Sequence, residues 1–219
     1  MCGRFAVTLP SDAMAQLFAA RPANDLPDVP NFNICPTNSV HVVTSEEGDR
    51  ALQSFRWGFL PHWYKTPSDG PLLINARSET IAKKPAFKTA ARARRCLIPA
   101  TGFYEWTKDP DGNRLPWYIS PQEGEVLAFA GVWQSWDKDD APIKTCAIVT
   151  TSANTTMSAI HHRMPVILSD KDWPLWLGEA GYGAATLMRA APEDALQFWR
   201  VDKAVNSNRA RGAALIDPL

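Results

Sequence analysis

Residues 96–133 read CLIPATGFYEWTKDPDGNRLPWYISPQEGEVLAFAGVW. Short apolar and aromatic runs are cut by turn-forming clusters, DPDGN among them, and this is the pattern of successive strands. The spacing predicts strands over 96–98, 102–107, 117–119 and 126–133, with another at 144–150. Divided by such turns, they make a mainly antiparallel β core. Working upstream, 2–8 (CGRFAVT) reads as a short strand and 11–20 (SDAMAQLFAA) as a helix, with Ser11 as N-cap and Met14, Leu17 and Phe18 on one face. The proline-rich stretch 21–37 reads as irregular. Strands at 40–44 and 52–59 flank the turn SEEGD, a proline loop covers 61–71, and LLINA at 72–76 looks like a buried strand. Residues 78–93 read as helical, begun or broken by Pro85. Downstream come a short helix at 154–160, a strand at 165–168 and a helix capped by Ser169 with Asp172 three positions on. With 219 residues, no repeat and no break in composition, the fold class is α+β, one domain over 1–219 with short helices around the β core.

Lys and Arg total 23, as do Asp and Glu, so net charge predicts no polyanionic partner, and a nucleic-acid site must be a local patch. One such patch exists: Lys83, Lys84, Lys88, Arg92, Arg94 and Arg95 follow one another with no acid among them, whereas acids gather in SEEGD, KDPDG and DKDD. The four cysteines, Cys2, Cys35, Cys96 and Cys146, form no CxxC and follow no signal peptide, which points to a reducing, cytoplasmic compartment. No apolar run is long enough to cross a bilayer, so no membrane partner is expected. Neither the cysteines nor His41, His62, His161 and His162 show metal-ligand spacing. No metal or cofactor is expected. Nine tryptophans and eighteen prolines suggest a shaped surface as well as a core.

The chain opens MCGRF. Removal of Met1 gives Cys2 a free amine beside its thiol, both nucleophilic near neutral pH. A 1,2-aminothiol condenses with an aldehyde to an imine and closes to a thiazolidine. The alternative is a thiol on a frayed terminus, although GRFAV has the apolar pattern of a docked strand. In GFYEW, alternation sets Phe103, Glu105 and Thr107 on one face. Glu105 is either an exposed strand residue or a carboxyl enclosed by rings, whose raised pKa suits proton transfer. Of the adjacent His161 and His162, at most one serves a given site; a surface pair is the other reading. Asn75 and Arg77 fall on one side of a strand and can hold an amine and a phosphate, or be a turn asparagine and a solvated arginine. Trp63 and Tyr64 can stack on unpaired bases or anchor their loop.

Together these residues resemble the SRAP (SOS response-associated peptidase) family. MCGRF, FNICPTN, WGFLPHW, LLINARSET, GFYEW, AFAGVW, IVTTSAN, IHHRMPVIL and VDKAVN occur in family order along nearly the whole chain. The resemblance implies a monomer that captures abasic sites in single-stranded DNA, including single/double-strand junctions, through a thiazolidine on Cys2. It implies that Asn75 positions the amine or the sugar, that Glu105 moves protons, and that His161, first histidine of the motif, assists ring opening. Arg4, Arg77 and Arg163 match phosphate-contacting arginines, and Pro36, Trp63 and Tyr64 match apolar elements that wedge against bases. Lys83, Lys84 and Lys88 are candidates for a further DNA contact near Pro85. The competing classes are an N-terminal-nucleophile hydrolase using the same Cys2, and a non-covalent reader of modified or single-stranded DNA.

Overall fold

The structure, a computed structural model, describes residues 2–138 and 141–219. Among the described residues, thirteen strands and four short α-helices follow in order. Strand β1 (Phe5–Val7), helix α1 (Ser11–Leu17), β2 (Arg21–Pro22) and β3 (Asn31–Ile34) precede the hairpin β4 (Ser39–Glu46) and β5 (Asp49–Trp57). After β6 (Asn75–Arg77) and α2 (Lys88–Ala93) come β7 (Arg95–Ala100), β8 (Gly102–Lys108), β9 (Arg114–Pro121), β10 (Leu127–Trp136) and β11 (Ile143–Ser152). Helix α3 (Thr155–Ser158), β12 (Arg163–Pro165), α4 (Trp173–Leu177) and β13 (Leu196–Arg200) complete the order. No helix of the described residues is long and apolar enough to cross a membrane.

Five strands form one sheet in the order β13-β9-β8-β1-β3. The other sheet runs β12-β11-β10-β7-β4-β5-β2, and a parallel pairing of β11 with β5 closes its middle into a ring. Closure leaves those strands no open edge for another chain to pair with. The antiparallel expectation holds for most pairs; β11 with β5, β11 with β6 and β2 with β5 are parallel. Where the sheets face each other, Phe5 meets Trp57 at 5.0 Å and Phe129 at 6.1 Å, and Phe103 meets Phe129 at 5.8 Å, all edge to face. Phe5 is fully buried and pairs with both Ile34 and Phe103, so the amino-terminal strand is a central strand. Gly102 is required where it pairs with Ala6, because an added Cβ would lie 2.7 Å from the Ile119 carbonyl oxygen.

Several local expectations change. Pro10, not Ser11, caps α1, and the Ser11 hydroxyl meets His41 Nε2 at 3.1 Å. Leu17 points outward, 48% exposed, while Met14 and Phe18 are buried. The supposedly irregular 21–37 contains β2 and β3. Of the helix expected at 78–93, only Lys88–Ala93 forms, since Pro85 has no N–H and the preceding residues settle into turns. The strand expected at 165–168 lies earlier, at Arg163–Pro165, with a single bridge at Ile167. Ser169 precedes a one-turn 3-10 helix, and its hydroxyl donates to the Asp172 carboxylate at 2.7 Å instead of capping the backbone.

Candidate functional site

The register of β1 on β8 decides what Cys2 can reach. Phe5 lies opposite Phe103, and the Tyr104 N–H donates to the Arg4 carbonyl at 2.9 Å. Residues 2–4 precede β1 and lie outside the ladder. Cys2 is fully buried, and its carbonyl accepts the Asn75 Nδ2 donor at 3.0 Å. Burial pushes the thiol pKa well up, and the nearby Glu105 carboxylate raises it further. The thiol is therefore protonated at neutral pH in a chain that keeps Met1, where the Cys2 nitrogen is an amide.

Glu105 is 3% exposed, and burial raises its pKa against the opposing pull of the Arg114 guanidinium among other positive groups. It opens on a cleft of about 410 Å³ that also takes in Gly3, Arg4, Pro36, Trp106 and His161. Arg4 is partly fixed: Nη1 donates to Asn33 Oδ1 at 2.7 Å and to the Val205 carbonyl at 2.9 Å. Its Nε is buried with no hydrogen-bond partner among the described residues. Trp106 is held by its indole N–H, which donates to Asn206 Oδ1 at 2.7 Å, and the Arg114 guanidinium lies over its ring at 4.4 Å.

Asn75 enters from the other sheet, because β6 pairs in parallel with β11 and sets Asn75 beside Ile148. Its Oδ1 is buried and has no hydrogen-bond partner among the described residues. Two residues on, Arg77 is exposed. His161 follows α3, which Asn154 caps by accepting the Met157 N–H at 2.8 Å. His161 Nδ1 lies 3.0 Å from the Arg163 backbone N–H and 3.1 Å from the Arg163 carbonyl oxygen, so the Arg163 backbone fixes the ring in place. Burial lowers the His161 pKa, and the ring stacks on the exposed His162 at 4.4 Å.

Arg4, Pro36, Glu105 and His161 thus line one cleft, and Cys2, buried behind its Gly3 wall, is held there by Asn75. Three expected DNA contacts are placed differently from one another. Arg163 is 8% exposed, and its guanidinium is committed to the Glu79 carboxylate at 2.6 and 3.0 Å and to the Thr150 carbonyl at 2.8 Å. Tyr64 is 7% exposed, with its hydroxyl donating to the Pro71 carbonyl and its backbone carbonyl accepting the Trp136 indole N–H. Trp63 alone of that pair stands out, 47% exposed. Of the basic run, Lys83, Lys84, Lys88 and Arg92 are exposed. Arg94 is tied to the Trp133 carbonyl, and Arg95 to the carbonyls of Ala91, Arg92 and Trp176.

Residues that the sequence reading left unassigned build the walls. Asn33, 1% exposed, donates to the carbonyls of Ser207 and Ala210 while accepting from Arg4. Asn206 donates to the Arg114 carbonyl at 3.3 Å as well as holding Trp106. Their motifs, FNICPTN and VDKAVN, were visible in the sequence; the contact between them was not. Among the described residues no group of three or more His, Cys, Asp or Glu is arranged to hold a metal ion. A larger groove of about 1000 Å³ lies at the far end of β9 against α1, with Glu123, Glu125 and Asp170 at its rim and none of these reactive groups.

A family model described as SOS response associated peptidase (SRAP) matches residues 1–208. The chain is 32% identical over 224 residues to the abasic site processing protein YoqW of Bacillus subtilis, covering 99% of each. It is 30% identical to the abasic site processing protein YedK of Escherichia coli, covering 100% of each. A crystal structure of a Bacteroides thetaiotaomicron protein superposes with a TM-score of 0.87 at 22% identity over 100% of both chains. A phage-related protein from Bordetella bronchiseptica gives 0.75 at 26% identity, covering 97% of this chain and 100% of the other.

Proposed function

The chain belongs to the SOS response associated peptidase (SRAP) family, and from that premise we propose that, once Met1 is removed, it captures abasic sites in single-stranded DNA by forming a thiazolidine on Cys2. The observation that carries this reading is the clamp on Cys2: Asn75 holds its carbonyl and Glu105 lies close enough for its charge to be felt by the thiol.

In its open form an abasic sugar is an aldehyde at C1′. The Cys2 amine adds to that carbon, a proton is delivered to the departing oxygen, and water leaves to give the imine. The thiol sulfur then adds to the same carbon and its proton passes to the nitrogen, closing the five-membered ring. Glu105, with its pKa raised by burial, is suited to deliver the first proton and to relay the second from sulfur to nitrogen. The unpartnered Asn75 Oδ1 is an acceptor for the N–H of the attacking amine. His161, its pKa lowered by burial, assists opening of the sugar ring. Fixing the aminothiol beside C1′ replaces a bimolecular search with an intramolecular step.

Arg4 and Arg77 supply phosphate contacts, which give sequence-independent and salt-sensitive affinity. Pro36 and Trp63 offer apolar surface to the bases beside the gap. Arg163 acts from behind, since its guanidinium is spent on Glu79 while its backbone fixes His161. Tyr64 supports the loop that presents Trp63.

Met1-processed protein incubated with an abasic single-stranded oligonucleotide should give an adduct that survives denaturing electrophoresis. Cys2→Ala and a form retaining Met1 should give none. A processed protein that yields no adduct sinks the proposal. Equal, purely non-covalent binding by Cys2→Ala would favour a reader of damaged DNA instead.

A further inference from the structure

We propose that the cleft also captures small free aldehydes that carry a phosphate monoester, so that phosphorylated aldehyde metabolites compete with DNA for Cys2. This rests on the reading of Cys2 as a processed aminothiol given above.

The first observation is a charge arrangement at the mouth of the cleft. Lys108 and Arg114 both line it, and they are direct partners across the β8–β9 hairpin. Like charges placed directly opposite on paired strands destabilise a hairpin. Neither side chain is in an ion pair among the described residues. Asp109, the acid next to Lys108, accepts from the Asn113 backbone at 2.7 Å and side chain at 2.9 Å, and the buried Glu105 carboxyl is the acid of the cleft that feels the Arg114 charge. Arg114 is kept in place by the Trp106 ring, which Asn206 fixes in turn. Arg4, with its buried and unpartnered Nε, adds a third cation to the same cleft. A doubly charged phosphate monoester relieves three converging cations more fully than the singly charged diester of a DNA backbone.

The second observation is size. A cleft of about 410 Å³ admits a whole triose or pentose phosphate, so the polymer is not needed to fill it. With the phosphate on Lys108 and Arg114, the aldehyde end is directed toward Glu105 and the Cys2 side. The reaction is the one already described: the amine adds to the carbonyl carbon, one water leaves, the sulfur closes on the imine carbon and the thiol proton moves to nitrogen. Nothing is oxidised or reduced, and hydrolysis returns both partners.

D-glyceraldehyde 3-phosphate and unphosphorylated D-glyceraldehyde serve as probes, with intact mass of the processed protein as the readout. The expected adduct weighs one aldehyde less one water. The phosphorylated probe should react about tenfold faster than the neutral one, after dividing by the same ratio for free cysteine methyl ester, the effect of one charge-assisted contact. Lys108→Gln combined with Arg114→Gln, checked for folding by thermal melting, should lower that ratio. No preference in the parent protein, or a ratio unchanged in the double variant, overturns the inference. An abasic oligonucleotide is run in parallel. If it crosslinks while glyceraldehyde 3-phosphate leaves the mass unaltered, this inference falls and the DNA reading stands; if neither reacts, both fall.

Discussion

Glu105 sets stability against the proton transfer proposed for it. Its carboxyl is enclosed, and burial favours the protonated form. Because its folded pKa lies above the ordinary value, the stability it contributes is complete below the unfolded value and is lost as pH rises through the folded one. Glu105→Gln keeps the shape and removes the charge, so at neutral pH the variant should melt at or above the parent temperature, and the difference should vanish in acid. Its rate of adduct formation should fall by about 10²-fold or more, the usual contribution of a positioned acid or base. A parallel loss of stability and rate would show that Glu105 is merely structural. The residues of this site were legible in the sequence where a short-range rule applied. Alternation on GFYEW and INAR fixed the sides of Glu105, Asn75 and Arg77. Arg163 was not legible as a buried ion-pair partner, because Glu79 lies 84 positions away and no local pattern links them. Arg114 was within reach of local reasoning, since folding the chain at DPDGN sets it against Lys108.

At the scale of elements, the cleft depends on a strap formed by the segment after β13. Val205, Ser207 and Ala210 supply carbonyls to Arg4 and Asn33, and Asn206 fixes Trp106. Asn33→Ala removes three side-chain hydrogen bonds at a buried position. At about 1 kcal/mol each the loss should come to ~3 kcal/mol, measured as a lowered urea midpoint. DNA affinity should weaken with it, because Arg4 loses one of its two anchors. A loss confined to stability, with affinity unaltered in the folded fraction, would detach the strap from the site. Strands bounded by strong turn signals were foreseen, β8 and β10 among them. The short β2 and β3 were not, since proline-rich sequence hides strands whose pairing is supplied by distant partners. The helix expected at 78–93, begun or broken by Pro85, forms only beyond that proline, at Lys88–Ala93. Parallel closure of β11 on β5 was invisible, because a period-two pattern is blind to the direction of a neighbour.

For the whole molecule, acid should be the destabilising direction. Buried His41 is held neutral, with its pKa lowered from 6.5 to about 4 by desolvation. A depressed folded value means that the contribution is complete above pH 6.5 and is lost as pH falls toward about 4, amounting to ~3 kcal/mol. The pKa of Glu79 is lowered chiefly by its hydrogen bonds from Arg163, and that of Glu193 to about 2 by those from Thr156 and Thr155. The support from Glu193 disappears at still lower pH, between the ordinary carboxylate range and about 2, and that from Glu79 is lost below the ordinary carboxylate range. Urea midpoints followed across pH should therefore fall in two stages, and His41→Gln should flatten the first while leaving the second. A parent profile that is level from pH 6.5 to 4 contradicts the assignment. The strap has one more consequence, which concerns timing. Residues 2–4 leave the ribosome at the outset, whereas Val205 to Ala210 emerge some two hundred residues later. Until they do, Arg4 and Asn33 lack the carbonyls that hold them, and the enclosure around the cleft is completed only late in synthesis.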